Sequence, residues 1–176
     1  MEVFMRRSLI VITPLLALSL AVVACDEAMV DGPNSVAEVE VESAVISRCN
    51  QMMEFSEFHF TLTVTNTGAL PLALGGVAFE GRDGVATYVA GTTTLSSPVV
   101  IAAGESARFS CSPDVPLTWQ TDAAAALLSV GVAVSHPDGS DGATASGEAA
   151  LQFVEAWDSC DTYAGQRHPC TPIPFN

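Results

Sequence analysis

Alternating apolar and polar residues run through the middle of the chain and predict β-strands. Phe58, Phe60, Leu62 and Val64 are separated by polar residues, which is the period-two pattern of a strand with one buried face. Further strands are predicted, in chain order, over residues 37–42, 72–80, 85–89, 92–95, 99–101, 106–112, 127–135 and 149–153.

Turn residues separate these stretches. Asn66-Thr67-Gly68 and Ala102–Glu105 predict turns, His136–Gly142 predicts a hairpin loop, and Gly75-Gly76 predicts a bulge within a strand. The helical candidate at Thr121–Leu128 is too short and poorly capped for more than one or two turns. Seven to nine short strands with turns between them predict an all-β, antiparallel, two-sheet sandwich.

The N-terminus has a different character, which is typical of an export signal. Arg6 and Arg7 precede an uncharged apolar stretch, Ser8–Val23, and small residues follow. We therefore expect residues 1–24 to be a signal peptide, which forms a helix and is removed from the mature protein. The alternative is an uncleaved anchor helix, but the apolar stretch is shorter than the roughly 20 residues that span a bilayer.

Val22-Val23-Ala24-Cys25 resembles the bacterial lipobox, in which small or aliphatic residues precede a cysteine. The resemblance implies cleavage before Cys25 and diacylglycerol on its sulfur, so that the membrane becomes a partner through this lipid anchor. The alternative is an ordinary secretory signal with a coincidental cysteine. Residues 25–36 are acidic and contain Gly32-Pro33, and we interpret them as a flexible tether.

Five cysteines are an odd number for an oxidising compartment, and lipidation of Cys25 would leave an even set, Cys49, Cys111, Cys160 and Cys170. Four cysteines allow three pairings, and we expect Cys160–Cys170 with Cys49–Cys111 because the first pair closes a short loop. Residues 37–156 are then the sandwich domain, and residues 157–176, rich in proline, are a tail pinned by a disulfide.

The charge of the chain is strongly negative, with a formal net charge of −14 and no lysine. Such a surface repels nucleic acid, so no nucleic-acid partner is expected.

Motifs that carry catalysis are missing from the sequence. There is no G-x-S-x-G, no H-E-x-x-H, no phosphate-binding loop and no Cys-x-x-Cys. We therefore expect neither catalytic residues nor a cofactor, although an unrecognised envelope enzyme remains an alternative.

Weak metal signals are present. Cys49, Met52, Met53 and His59 are soft ligands that are close in sequence, as a copper site requires, and of these Met52 and His59 are the candidates worth testing. A disulfide, core packing and a solvated histidine are the more frequent roles of such residues and are favoured here. Asp138 and Asp141 are too few oxygen donors for calcium, and His168 precedes Cys170, for which the disulfide is the favoured role. No metal is expected.

Residues 58–154 resemble the Ig-like repeat domains of the ASH/Hydin-like and CARDB-like groups. The resembling segments are Phe60–Gly81, Pro98–Ser110 and Leu127–Gly139. The resemblance implies an Ig-like sandwich that serves binding, spacing or assembly without catalysis.

Together these patterns predict a cell-envelope lipoprotein on the inner or outer membrane, facing the periplasm or the cell surface. Its domain would present a surface to another envelope protein. A periplasmic metal-binding lipoprotein of the copper-chaperone type is the alternative.

Overall fold

The computed structural model describes residues 36–49, 55–119, 125–156 and 168–175. Within these residues every regular element is a β-strand. The strands are β1 (Ala37–Cys49), β2 (Phe55–Asn66), β3 (Leu72–Arg82), β4 (Thr87–Thr93), β5 (Val99–Ile101), β6 (Ser106–Ser112), β7 (Leu127–Ser135), β8 (Ala143–Ala150), β9 (Gln152–Ala156) and β10 (His168–Ile173).

The strands form two five-stranded sheets. Sheet A has the order β10-β6-β2-β1-β9, and sheet B has the order β4-β3-β7-β8 with β5 added beside β3. Every pairing is antiparallel except that of β1 with β9, which is parallel. The prediction of an all-β chain with two mostly antiparallel sheets is confirmed, and the arrangement is consistent with a sandwich.

One hydrophobic core lies between the sheets, built from the alternating apolar residues of each strand. Phe58 and Phe60 of sheet A contact Phe79 of sheet B, with ring centroids 5.3 and 5.5 Å apart. Leu62 and Val64 continue the buried row of β2, as the sequence predicted, and are almost fully buried. Burying one such side chain stabilises the fold by about 1.5–3 kcal/mol.

Two bulges interrupt the ladders. The register of β3 against β7 shifts between Leu74 and Val77, which confirms the irregularity predicted at Gly75-Gly76. The register of β1 against β2 shifts between Val41 and Ser43, and this second bulge leaves Glu42 as the extra residue.

On one side the sandwich closes where β8 meets β1. β8 belongs to sheet B, and after the buried Leu151 the chain continues as β9 in sheet A. A Cβ placed on Gly147 would lie only 2.3 Å from the carbonyl oxygen of Val39, so the two backbones touch directly. Glycine is required there because any side chain would displace one of the strands.

On the other side β10 joins the sheets. It pairs with β6 in sheet A, and the Cys170 N–H donates to the Thr94 carbonyl at 2.9 Å. The Ser96 N–H donates to the Cys170 carbonyl, also at 2.9 Å. The backbone of Cys170 is therefore bonded to the segment that follows β4 while its neighbours remain paired with β6.

Several sequence predictions need correction. The described residues contain ten strands rather than seven to nine, because the predicted last strand at 149–153 covers the end of β8 and the start of β9, and because β10 lies in the predicted tail. The stretches at 85–89 and 92–95 form one strand, β4. Ala125 is in a turn with φ of 65° and Leu127 begins β7, so the helical candidate has no helix from residue 125 onward, and its earlier part lies outside the described residues.

The predicted signal peptide over residues 1–24 and nearly all of the predicted tether, residues 25–35, lie outside the described residues. In the described ranges no helix has the length and apolar character needed to cross a membrane.

Candidate functional site

The outer face of sheet A, here called the polar face, is covered with hydroxyl and charged side chains. Its central strand contributes Thr61, Thr63 and Thr65, which alternate with the core residues of β2. Thr61 and Thr63 are themselves buried by their neighbours on this face, and Thr65 is half-buried. Strand register aligns Ser43, Thr61, Ser110 and Thr171 in one row across four strands. The polar face is therefore a surface rich in hydrogen-bonding groups on a rigid scaffold.

A charged cluster lies at one end of the polar face. Arg108 donates from Nε to both oxygens of the Glu42 carboxylate, at 2.9 and 2.8 Å, and its Nη2 also contacts Glu42 Oε2. Thr63 Oγ1 donates to Glu42 Oε1 at 2.7 Å. The Arg108 hydrogen bonds, followed by the one from Thr63, lower the pKa of Glu42. Glu42 is the extra residue of the bulge in β1, and Arg108 lies on β6, on the far side of β2.

Two histidines mark the other end of the polar face. Phe60 lies opposite Cys111 and Ser112 lies opposite His168, so His59 and His168 flank Ser112 on neighbouring strands. Burial, and to a smaller degree the nearby His168, lowers the pKa of His59. His59 is half-buried, which corrects the expectation of a simply solvated side chain.

The predicted copper ligands are not brought together within the described residues. Met52 and Met53 lie outside them, as does the side chain of Cys49. His59 instead has His168 as its nearest histidine neighbour in register. The described ranges contain no group of three or more His, Cys, Asp or Glu residues placed so that they could hold a metal ion.

The calcium candidates serve the hairpin turn between β7 and β8. Asp138 Oδ1 accepts hydrogen bonds from the N–H and the hydroxyl of Ser140, at 2.9 and 2.7 Å. Asp141 adopts a positive φ of 52°, and its carboxylate lies 3.9 Å from His136 Nε2. Both aspartates thus act in the local loop geometry that the turn interpretation predicted.

The disulfide pairing expected from the sequence is wrong. Cys111 is bonded to Cys170, which excludes both Cys49–Cys111 and Cys160–Cys170. The reason is the register of β10, which runs along β6 and turns both cysteines toward the core, where each is fully buried. Cys25 and Cys160 lie outside the described residues, and the backbone of Cys49 lies opposite Phe55 and Ala156.

A buried asparagine organises the end of the molecule where β1 begins. Asn66 has no exposed surface, and its Nδ2 donates to the carbonyls of Leu70 at 2.8 Å and Ile101 at 3.1 Å. Its Oδ1 accepts from the Gly68 N–H at 2.9 Å, and the Thr67 N–H donates to the Val36 carbonyl at 2.8 Å. One side chain therefore joins two loops beside the first described residue.

Sequence reasoning identified Asn66 only as part of a turn, and it missed the pair formed by Glu42 and Arg108 completely. These two residues are 66 positions apart, and nothing in the strand pattern at 37–42 indicated a bulge. His168 was noted only as a neighbour of Cys170. The register between β6 and β10 is what brings it beside Ser112.

No family model matches the chain, and no curated protein matches it. Among solved structures, the X-ray structure of the Northeast Structural Genomics Consortium target SoR45 is 18% identical over 68% of this chain and 88% of that chain, with a TM-score of 0.50. The solution structure of a putative late embryogenesis abundant protein is 15% identical over 66% and 71%, with a TM-score of 0.42.

The sporulation control protein Spo0M from Bacillus subtilis is 17% identical over 69% of this chain and 50% of that chain, with a TM-score of 0.41. At this level of identity the likeness to SoR45 concerns the fold alone.

Proposed function

We propose that this protein is a cell-envelope lipoprotein, exported by residues 1–24 and anchored by lipid on Cys25. Residues 25–36 tether an Ig-like sandwich whose role is to bind another envelope protein without catalysis. The membrane is inner or outer, and the domain faces the periplasm or the cell surface.

The observation that carries this proposal is the buried disulfide between Cys111 and Cys170. Disulfides inside a domain form and persist in oxidising compartments, so this bond supports export. The described domain also begins at Ala37, directly after the stretch interpreted as a tether. Both features agree with the lipobox-like residues that end at Cys25.

The polar face supports the binding role. Two sheets with a shared core and alternating strands are the organisation that the resemblance to Ig-like domains implies. The Glu42–Arg108 cluster with Thr63, and the pair formed by Thr65 and Ser106, are fixed by side-chain hydrogen bonds, so they are ordered before a partner arrives. Such preorganisation lowers the entropic cost of association.

Intact mass of the chain extracted from membranes tests the anchor. We expect a chain that begins at Cys25 with added acyl groups, and a Cys25→Ala variant that no longer fractionates with membranes. A mature chain that begins elsewhere, or an unmodified Cys25, would contradict the lipoprotein assignment.

The same sample tests a second disulfide. With Cys25 lipidated and Cys111 bonded to Cys170, Cys49 and Cys160 remain. The expectation that all four cysteines form disulfides therefore makes these two the second pair. Peptide mapping without reduction should recover this cross-link, and free thiols at both positions would refute it.

Site-specific photo-crosslinking in cells tests the binding face. A photoreactive residue in place of Ser110, on the polar face, should give a discrete cross-linked product. The matched control replaces Ala133, which is exposed on the outer face of sheet B. Equal products at both positions, or a product at Ala133 alone, would contradict the assignment of the polar face.

A metal-binding role is the second candidate, and the juxtaposition of His59 and His168 across Ser112 favours it. Imidazole nitrogens suit copper and zinc. Copper titration of the purified protein should then show one bound ion, which is lost in both His59→Ala and His168→Ala. No binding in the unsubstituted protein would exclude this candidate.

A further inference from the structure

The end of the sandwich where β1 begins carries exposed apolar residues. Leu70 and Phe175 are each 59% exposed and Val100 is 57% exposed, whereas the other exposed large apolar residues of the described ranges, Val85, Leu127 and Val154, lie at the opposite end. Small apolar neighbours extend the surface, which we call the apolar tip. Its members are Ala69, Leu70, Pro71, Val100, Ala102, Ala103, Pro174 and Phe175.

Hydrogen bonds and strand register bring these residues to the same end of the domain. Asn66 bonds to the carbonyls of both Leu70 and Ile101, and the Gly104 N–H donates to the Asn66 carbonyl at 2.9 Å. Ile173 lies opposite Arg108 near the start of β6, so Phe175 continues toward the same loops. The apolar tip is therefore one surface formed by three segments.

The polypeptide enters the domain at this end. Val36 is hydrogen-bonded to Thr67, and a Cβ on Gly68 would lie 2.8 Å from the Cβ of Val36. Val36 is the eleventh residue after Cys25, so the tether reaches at most about 40 Å when fully extended. A flexible tether of this length has a typical span of about 20 Å, which is shorter than a small domain.

From this arrangement we infer that the apolar tip contacts the membrane that holds the lipid on Cys25. The inference rests on the proposed function. The short tether keeps this end of the domain at the bilayer, and exposed Leu70 and Phe175 partition into the interface between headgroups and acyl chains. Glu105, Asp138 and Asp141 lie in loops at the same end, and their negative charges repel anionic headgroups. The attraction to the membrane is therefore apolar, and the contact favours a zwitterionic surface over an anionic one.

The domain is then oriented as well as tethered. The loop between β3 and β4 is at the opposite end, and its Val85 is 96% exposed. The strands of sheet A then point away from the membrane instead of lying parallel to its surface. The polar face is therefore directed sideways, where a neighbouring protein can reach it.

Fluorescence quenching by brominated lipid tests this inference. The full-length chain, extracted from membranes and shown by mass to carry lipid on Cys25, is reconstituted in phosphatidylcholine vesicles with brominated acyl chains. A Leu70→Trp variant should lose more emission than the unsubstituted protein, because its indole enters the interface by about 5–10 Å. Phe175→Trp should behave likewise, whereas the matched control Val85→Trp should show no added loss.

The outcomes separate the two proposals. A chain without lipid on Cys25 that fails to associate with vesicles refutes the proposed function and this inference with it. A lipidated, vesicle-bound chain in which neither Leu70→Trp nor Phe175→Trp is quenched more than Val85→Trp refutes the inference alone. Stronger quenching in phosphatidylglycerol vesicles than in phosphatidylcholine would also overturn the apolar contact.

Discussion

The two sides of the sandwich are closed by different means. Where β8 meets β1, the strands pack backbone against backbone at Gly147 and Val39. Where β10 joins the sheets, the contact is a disulfide and two backbone hydrogen bonds at Cys170. Close packing suffices on the first side because long strands flank it, whereas the six residues of β10 include two prolines and few apolar side chains. A segment with so little apolar surface needs a cross-link.

Removal of the cross-link should have the largest effect on stability. The bond closes a loop of 59 residues, for which loop entropy predicts a stabilisation of about 4 kcal/mol. Denaturant unfolding of a Cys111→Ala, Cys170→Ala double variant should show a loss of this order. Unfolding of the original protein under reducing conditions provides the control, and a double variant as stable as the oxidised protein would show that β10 holds itself in place.

Gly147→Ala should have the next largest effect, on the opposite side. The added methyl would sit 2.3 Å from the Val39 carbonyl oxygen, and because this oxygen belongs to the backbone and cannot rotate away, we expect the free energy of unfolding to fall by about 3 kcal/mol. Gly142→Ala is the matched control, since a Cβ there meets nothing within 4 Å. If thermal unfolding shows equal midpoints for the two variants, the strands are not in the close contact described.

Asn66→Ala tests a third connection, which joins the sheets at the apolar tip. The variant leaves the carbonyl of Ile101 and the N–H of Gly68 without their partner, and we expect a loss of about 2 kcal/mol. Ser129→Ala removes an exposed hydrogen bond to Glu148. When the two variants are unfolded in urea, the free energy of unfolding should fall much less in Ser129→Ala than in Asn66→Ala. Equal losses would mean that the loops are held by other contacts.

The smallest expected effect is a pH dependence on the β10 side. Burial lowers the pKa of His59 below the ordinary value of 6.5, so the unfolded chain binds the proton more readily than the folded one. Stability from this group is complete above pH 6.5 and falls as the pH decreases below it. A His59→Gln variant should lose part of this dependence in unfolding experiments between pH 7.5 and about 5, and an unchanged slope would refute the role.

The acid range should respond differently. Hydrogen bonds from Arg108 lower the pKa of Glu42 below 4.5, so its contribution is present above that pH and is lost as the pH falls further. The two effects therefore occupy separate pH windows, and the His59 variant should change only the higher one.

The sequence predicted most of the strands because their cores are unambiguous. β2 and β7 alternate large apolar residues with polar ones, and Asn66, Gly75-Gly76 and Gly104 are turn or bulge residues whose local chemistry is strong. β8 was underestimated because its apolar positions are alanines. These carry little hydrophobic signal although Ala145 is buried.

The long-range features could not be predicted from local pattern. β10 contains Pro169 and Pro172, which predict a loop. The strand forms because it pairs with β6 and is held by its disulfide. The cysteine pairing failed because loop length was used in place of register, which depends on contacts almost 60 residues apart. The Glu42–Arg108 pair and the approach of His168 to His59 arise in the same way, from strand order.

Strand order also sets the sequence of events when the chain is made. Both edges of sheet A, β9 and β10, come after all the other described strands in the chain, so β1 and β6 acquire their outer neighbours only after these two strands have been made. Contacts of such long range slow folding, and until they form, β1 and β6 present open edges that can pair with other chains. The sandwich is therefore open along both edges of sheet A until its last two described strands have been added.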